Sequence, residues 1–133
     1  MRNFAVLLLG ILTITACKKT EVQQVNQAFS AVYSLAATGW TTSDGGHSYS
    51  TTLDVPEIDD IIQQGGGVIV YISFDNGANY EALPEVFDQI AYGAVHTKGS
   101  VTIDLFDVDG TSTITPPGST ILAKVVLIDA APL

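Results

Sequence analysis

Apolar and polar positions change rhythm twice along this chain. From Phe4 to Ala16 the residues are mostly apolar. From Lys18 to Ala28 (KKTEVQQVNQA) they are polar without a sustained period, and from Phe29 onward short apolar runs are broken by Gly, Asp, Asn and Pro. The last pattern is that of an all-β sandwich or barrel. Phe29 to Ala37 reads as a first strand. In His47 to Val55, Tyr49, Thr51, Leu53 and Val55 alternate with Ser48, Ser50, Thr52 and Asp54. That period of two marks a strand with one buried face. The connecting TTSDGG has turn chemistry throughout.

Residues 56–66 change period. Pro56 suits a first helical turn, and Glu57, Asp59 and Asp60 complement the positive end of a helix. Ile58, Ile61 and Ile62 share a face at i, i+3 and i+4, and Gly65 can close the helix in a left-handed conformation. One short helix is expected over Glu57 to Gln64, packed across an end of the sheet.

Val68 to Phe74 (VIVYISF) is the most apolar run and reads as a central strand. Asp75-Asn76-Gly77 turns the chain into Tyr80 to Leu83, and Pro84 ends that strand. Ile90 to Thr97 and Val101 to Val108 form a hairpin around Lys98-Gly99, with Val101, Ile103 and Leu105 facing opposite to Thr102 and Asp104. Ile121 to Asp129 is a long final strand, apolar on both faces except Lys124. About seven strands and one short helix close naturally as two packed antiparallel sheets, an immunoglobulin-like strand count without the Cys and Trp signature. The expected organisation is a signal peptide over 1–16, a polar tether over 17–28 and a β-sandwich domain over 29–133.

The first segment has the charge order of an exported precursor: Arg2, an apolar stretch, then the small residue Ala16 before Cys17. Phe4 to Ala16 is too short to cross a bilayer core, which takes roughly 20 apolar residues as a helix. Ile14-Thr15-Ala16-Cys17 resembles the lipobox of bacterial lipoproteins. That resemblance implies cleavage between Ala16 and Cys17 and lipid attachment to the Cys17 thiol. GGGVIVYIS, YEALPEV and AKVVLID also resemble small uncharacterised lipoproteins of Bacteroidota. The implied address is the bacterial cell envelope, at the outer membrane on its surface or periplasmic face. Lys18 stands where the Asp that retains some lipoproteins at the inner membrane would be, and Lys18-Lys19-Thr20-Glu21 loosely resembles a surface-export tag. The likeness brings no activity with it.

Composition narrows the chemistry. Arg2 is the only arginine, so beyond residue 16 four lysines (Lys18, Lys19, Lys98 and Lys124) face 14 acids, a net charge of −10. Such a surface repels phosphate backbones, which excludes nucleic acid as a partner. With Cys17 the single cysteine, the domain has no disulfide, no Cys-based zinc site and no Cys nucleophile. No cofactor is implied. No Gly-x-Ser-x-Gly elbow occurs, and Gly65-Gly66-Gly67 leads from helix to strand, the wrong direction for a phosphate cradle. Asp59-Asp60 are adjacent and point apart, unlike an opposed glycosidase pair.

Three constellations remain. Asp104, Asp107 and Asp109 before Gly110 are a weak calcium candidate, lacking the further acids and closing Glu of an EF-hand loop. His47 and His96 belong to no spaced ligand motif; His96 falls in phase with Ile90, Tyr92 and Ala94, as a packed strand residue would. Trp40, Tyr49 and Tyr80, with Tyr71 and Tyr92, could present an aromatic platform to sugar rings or a partner, or could fill the core and sheet edges. The leading expectation is a non-enzymatic, lipid-anchored envelope module with a structural or protein-interaction role. Its partners are the membrane, reached through the lipid, and envelope proteins or glycans. A glycan-binding surface module is the alternative, and a hydrolase comes third.

Overall fold

The computed structural model describes residues 27–130. The signal segment 1–16, Cys17 and all but the end of the tether lie outside the described residues. Two four-stranded antiparallel sheets pack face to face. The first runs β1 (Ala28–Leu35), β8 (Ile121–Ile128), β3 (Gly67–Ser73), β4 (Glu81–Ala82). The second runs β2 (Ser48–Asp54), β7 (Ser100–Asp107), β6 (Ile90–Thr97), β5 (Glu85–Phe87). This is the expected all-β sandwich. Its strand order is not the ABED/CFG order of an immunoglobulin domain, so the likeness ends at two packed antiparallel sheets.

Period-two patterning produces the core directly. Ile121, Ala123, Val125 and Leu127 of β8 are buried, as are Val101, Ile103 and Leu105 of β7. Val70 and Ile72 of β3, Leu53 of β2 and Tyr92 of β6 join them between the sheets. Burying each large aliphatic side chain contributes about 1.5–3 kcal/mol relative to exposure. Phe74, Phe87 and Tyr92 add a triangle of edge-to-face rings, with centroids 4.9–5.6 Å apart, that ties one sheet to the other.

The described residues form eight strands where about seven are expected. The extra one, β5, follows Leu83–Pro84, a cis bond at which the chain passes from the first sheet to the second. Pro84 ends pairing with β3, but three residues later Phe87 pairs with Ile90 across a two-residue turn. Asp88 and Gln89 both have positive φ, 48° and 64°, the geometry tight hairpins need.

The helix also differs from the expected one. Helix α1 spans Asp60–Gly65 and begins after Asp59, whose Oδ1 accepts from the N–H groups of Ile61 and Ile62 at 2.9 Å. That is an N-cap, and it displaces Pro56 into a β-turn closed by the Ile58 N–H donating to the Val55 carbonyl. Ile58 therefore precedes the helix, and helical spacing does not relate it to Ile61. Ile58 and Ile62 are buried, whereas Ile61 is 61% exposed. Gly65 is the last helical residue, and the C-cap is Gly66 in extended backbone, not a left-handed glycine.

The β3–β4 turn shows how a short loop is held. Asp75 accepts from the Ser73 hydroxyl at 2.8 Å and from the backbone and side-chain N–H groups of Asn79 at 2.9 and 2.6 Å. Asn76 and Gly77 take the left-handed conformations this requires. Donation by Asn79, then by Ser73, holds the Asp75 carboxyl down at about 2. Because the unfolded chain protonates this group at higher pH, the contribution is complete above about pH 4 and lost as pH falls toward 2. Asp75→Asn is expected to flatten part of the acid side of the stability–pH profile. A denaturation series between pH 2 and 5 checks this, and superimposable profiles would refute it.

Candidate functional site

An apolar concave feature of the described residues follows from an imbalance between the two sheets. β1 lies at the edge of the first sheet, and its odd-numbered side chains face inward, because Phe29, Ala31, Tyr33 and Leu35 sit opposite the buried Leu127, Val125, Ala123 and Ile121. Leu35 is buried and Tyr33 half-buried, but Ala31 and Phe29 are exposed. The second sheet does not reach the start of β1. What faces it instead is the turn and helix from Val55 to Ile62, leaving a groove of about 340 Å³.

Its floor is apolar: Phe29, Ala31 and Tyr33 on one side, Val55, Ile61 and Ile62 on the other, with Leu127 beneath. Glu57, Asp59 and Asp129 line its rim. The Tyr33 hydroxyl is pushed up by burial, then by the charges of Glu57 and Asp54. The described residues hold one ion pair, Lys98–Asp60 at 2.8 Å, and none involving a rim carboxylate.

Beside the groove runs a backbone edge that pairs with no described residue. The Asp129 N–H donates to the Gln27 carbonyl in register with the β1–β8 ladder, so residues 29, 31, 33 and 35 exchange hydrogen bonds with β8. The N–H and C=O groups of Ala28, Ser30, Val32 and Ser34 then point away from the sheet. The corresponding edge of β2 is treated differently. There Ser50 exchanges backbone bonds with Thr41, and the Ser48 N–H donates to Asp44 Oδ1 at 2.9 Å. Asp44 also accepts from the Ser48 hydroxyl, which, with the Ser48 backbone, holds its carboxyl well below the usual range. β4 and β5 are only two and three residues long. Charges, short strands and covering loops are the usual protection of sheet edges. β1 has eight residues, none of them charged or proline, and exposes Phe29 and Val32.

The sequence-predicted site residues fall elsewhere. Ala16 and Cys17 lie outside the described residues. Trp40, a candidate both for an exposed platform and for the core, is 7% exposed and belongs to the core. It follows a 3-10 turn, Ala37–Gly39, that carries the chain from one sheet toward the other, so its ring lands between them. Tyr80 and Tyr71 flank the Lys124 ammonium at 4.2 and 4.7 Å from their ring centroids, on the outer face of the first sheet. Tyr49 packs partly against the core and lines a polar depression of about 310 Å³ with Thr41, Ser43, Ser50 and Asp104. No shared platform joins Trp40, Tyr49 and Tyr80.

The three aspartates do not converge. Asp107 turns inward and its Oδ2 accepts from the N–H groups of Thr111 and Ser112 at 3.1 Å, anchoring the following loop. Asp104 is on the opposite face and Asp109 is exposed in the turn. Among the described residues no group of three or more His, Cys, Asp or Glu side chains is placed to hold a metal ion. His96 is half-buried with Nδ1 3.0 Å from Gln63 Oε1, and the exposed His47 lies 3.2 Å from the Ser112 carbonyl. The groove itself was not anticipated. Its one signal in the sequence is the absence of any charge or proline in AFSAVYSL.

No family model, curated protein or solved structure matches the chain. No helix among the described residues is long and apolar enough to cross a membrane.

Proposed function

We propose that this chain is a lipid-anchored module of the bacterial cell envelope that acts by holding a protein partner. The observation that carries the interaction role is the apolar groove along the free edge of β1. An exposed apolar groove joined to unsatisfied strand edge groups is a recurring form of peptide recognition. Support for the address comes from Ile14-Thr15-Ala16-Cys17, a short stretch before β1 begins at Ala28. A tether attached directly to β1 would hold the groove near the membrane, where anchored partners are concentrated. Attachment would be stable only with more than one acyl chain, since a single chain binds marginally.

The anchor is tested by palmitate labelling in growing cells. Label is expected on the wild-type chain and absent from Cys17→Ser, with the variant moving from the membrane to the soluble fraction. Retained label in Cys17→Ser sinks the anchor. The interaction role is tested by a photo-crosslinking residue placed at Ile61 in intact cells. Discrete adducts larger than the chain are expected, and their absence argues for a purely structural role.

A further inference from the structure

We propose that the groove binds an extended peptide segment that adds as a fifth strand to the outer edge of β1, with alternating apolar side chains and lysine or arginine at its flanks. The inference rests on the interaction-module reading and names the partner's chemistry.

Geometry sets the first requirement. The outward N–H and C=O groups of Ser30, Val32 and Ser34 repeat at the two-residue interval of a β-ladder, and no described residue takes them. Only an extended backbone satisfies donors and acceptors at that spacing. Alternation follows next. A strand beside β1 sends every second side chain toward the same face as Phe29, Ala31 and Tyr33, which is the apolar floor of the groove. Its other side chains lie beside Ser30 and Val32, where polar groups remain hydrated.

Charge chooses between occupants. Glu57, Asp59 and Asp129 line the rim, Asp54 lies close enough to raise the Tyr33 hydroxyl, and none of them has a cationic partner among the described residues. A second copy of this chain, at net −9, would bring another set of carboxylates to the same edge. A basic-flanked segment instead brings the countercharge, and like-charge juxtaposition at an interface is strongly selected against. The contrast with β2 points the same way. Its edge N–H groups at Ser48 and Ser50 are taken by the chain's own loop, whereas the more apolar β1 edge is left open.

The test uses the full chain and an acetylated, amidated eight-residue peptide of alternating valine and threonine with lysine at each end. The comparison peptide carries glutamate at each end. Isothermal titration is expected to show the lysine-ended peptide binding roughly tenfold or more tightly at low salt, with the difference shrinking at about 0.5 M salt. Val32→Pro removes an outward N–H that the β1–β8 ladder does not use, and is expected to weaken binding roughly tenfold while far-ultraviolet circular dichroism is unchanged. Glu57→Lys, at an exposed rim position, is expected to erase the preference for lysine ends, and it tests the charge argument if Val32→Pro does not fold.

A photo-crosslinking residue at Val32 identifies the occupant directly. An adduct with the peptide supports the proposal. A covalent dimer assigns the edge to a second copy, and an internal crosslink to residues before 27 assigns it to the chain's own N-terminal segment; either overturns it. So do equal affinities for the two peptides, or no binding at millimolar peptide. Failure here leaves the envelope-module reading intact, because that reading stands or falls on Cys17 labelling and on adducts formed in cells.

Discussion

Replacing Trp40 with alanine is expected to cost about 3–5 kcal/mol of folding stability, the range for truncating a large buried aromatic. Small domains have only about 5–15 kcal/mol in total, so the thermal midpoint should fall by on the order of 20 °C. The reason is position. Trp40 is 7% exposed, and it fills the space where the chain leaves β1 and turns toward β2. Its neighbours in the core come from both sheets, so the cavity left behind has no single element that can collapse into it.

The indole also carries a cost that a simpler ring would not. Nε1 is buried and meets no hydrogen-bond partner among the described residues. An unsatisfied buried donor costs about 1–3 kcal/mol. Trp40→Phe is therefore expected to be much milder than Trp40→Ala, because the lost volume is partly offset by removal of that donor. Urea denaturation of the three proteins gives the order directly. A Trp40→Ala midpoint equal to wild type would contradict the burial described above. The same argument removes Trp40 from any sugar platform: binding lost in Trp40→Ala would accompany loss of the fold.

The second large effect is expected at Gly66. A Cβ built there would lie 2.5 Å from the Ile128 carbonyl oxygen, 2.9 Å from the Ile62 Cα and 3.0 Å from the Ile62 oxygen. All three are backbone atoms, so no flexible side chain can yield. Gly66 has φ −87° and ψ −166°, which any residue adopts; what excludes a side chain is space. Gly66→Ala is expected to destabilise by about 1–3 kcal/mol or more, as overpacking does. It must also push α1 away from β8, moving Ile62 relative to Leu127, two residues that line the groove.

Gly65 is the matched control. Its nearest contact to an added Cβ is the Ala130 oxygen at 3.7 Å, an ordinary separation. Alanine also favours helix over glycine by about 1 kcal/mol. Gly65→Ala should be neutral or slightly stabilising. Equal losses at the two glycines would show that backbone conformation, not close approach, governs this connection.

Much of the sandwich was legible in the chain. Strands β2 and β7 announce themselves by alternation, since a strand between a core and solvent must alternate, and β3 and β8 by their short, nearly uninterrupted apolar runs. Val101, Ile103 and Leu105 were placed on one face by that rule alone, and all three are buried. β5 was not legible because it is three residues long and its turn, Asp88-Gln89, adopts positive φ without a glycine. The helix boundary shifted because Pro56 and Asp59 each fit a helix start, and only the packing of Ile58 into the core decides between them.

The site was less legible for a different reason. A groove belongs to no single segment: β1, the turn and helix over 55–65, and β8 are far apart in sequence and are brought together by the fold. Aromatic residue type likewise does not say which side of a sheet a ring takes. Trp40 and Tyr80 look equivalent as ligand candidates, yet one lies between the sheets and the other beside Lys124 on the outside.

By itself the sequence determined an acidic β-domain with a single cysteine, Cys17, ahead of it, because composition and period are local properties. Tertiary structure alone decided that Trp40 is core, that Asp104, Asp107 and Asp109 stay apart, and that the outer edge of β1 pairs with no described residue above an apolar groove. Each depends on which distant residues become neighbours, and strand order sets that through long-range pairing that no local pattern encodes.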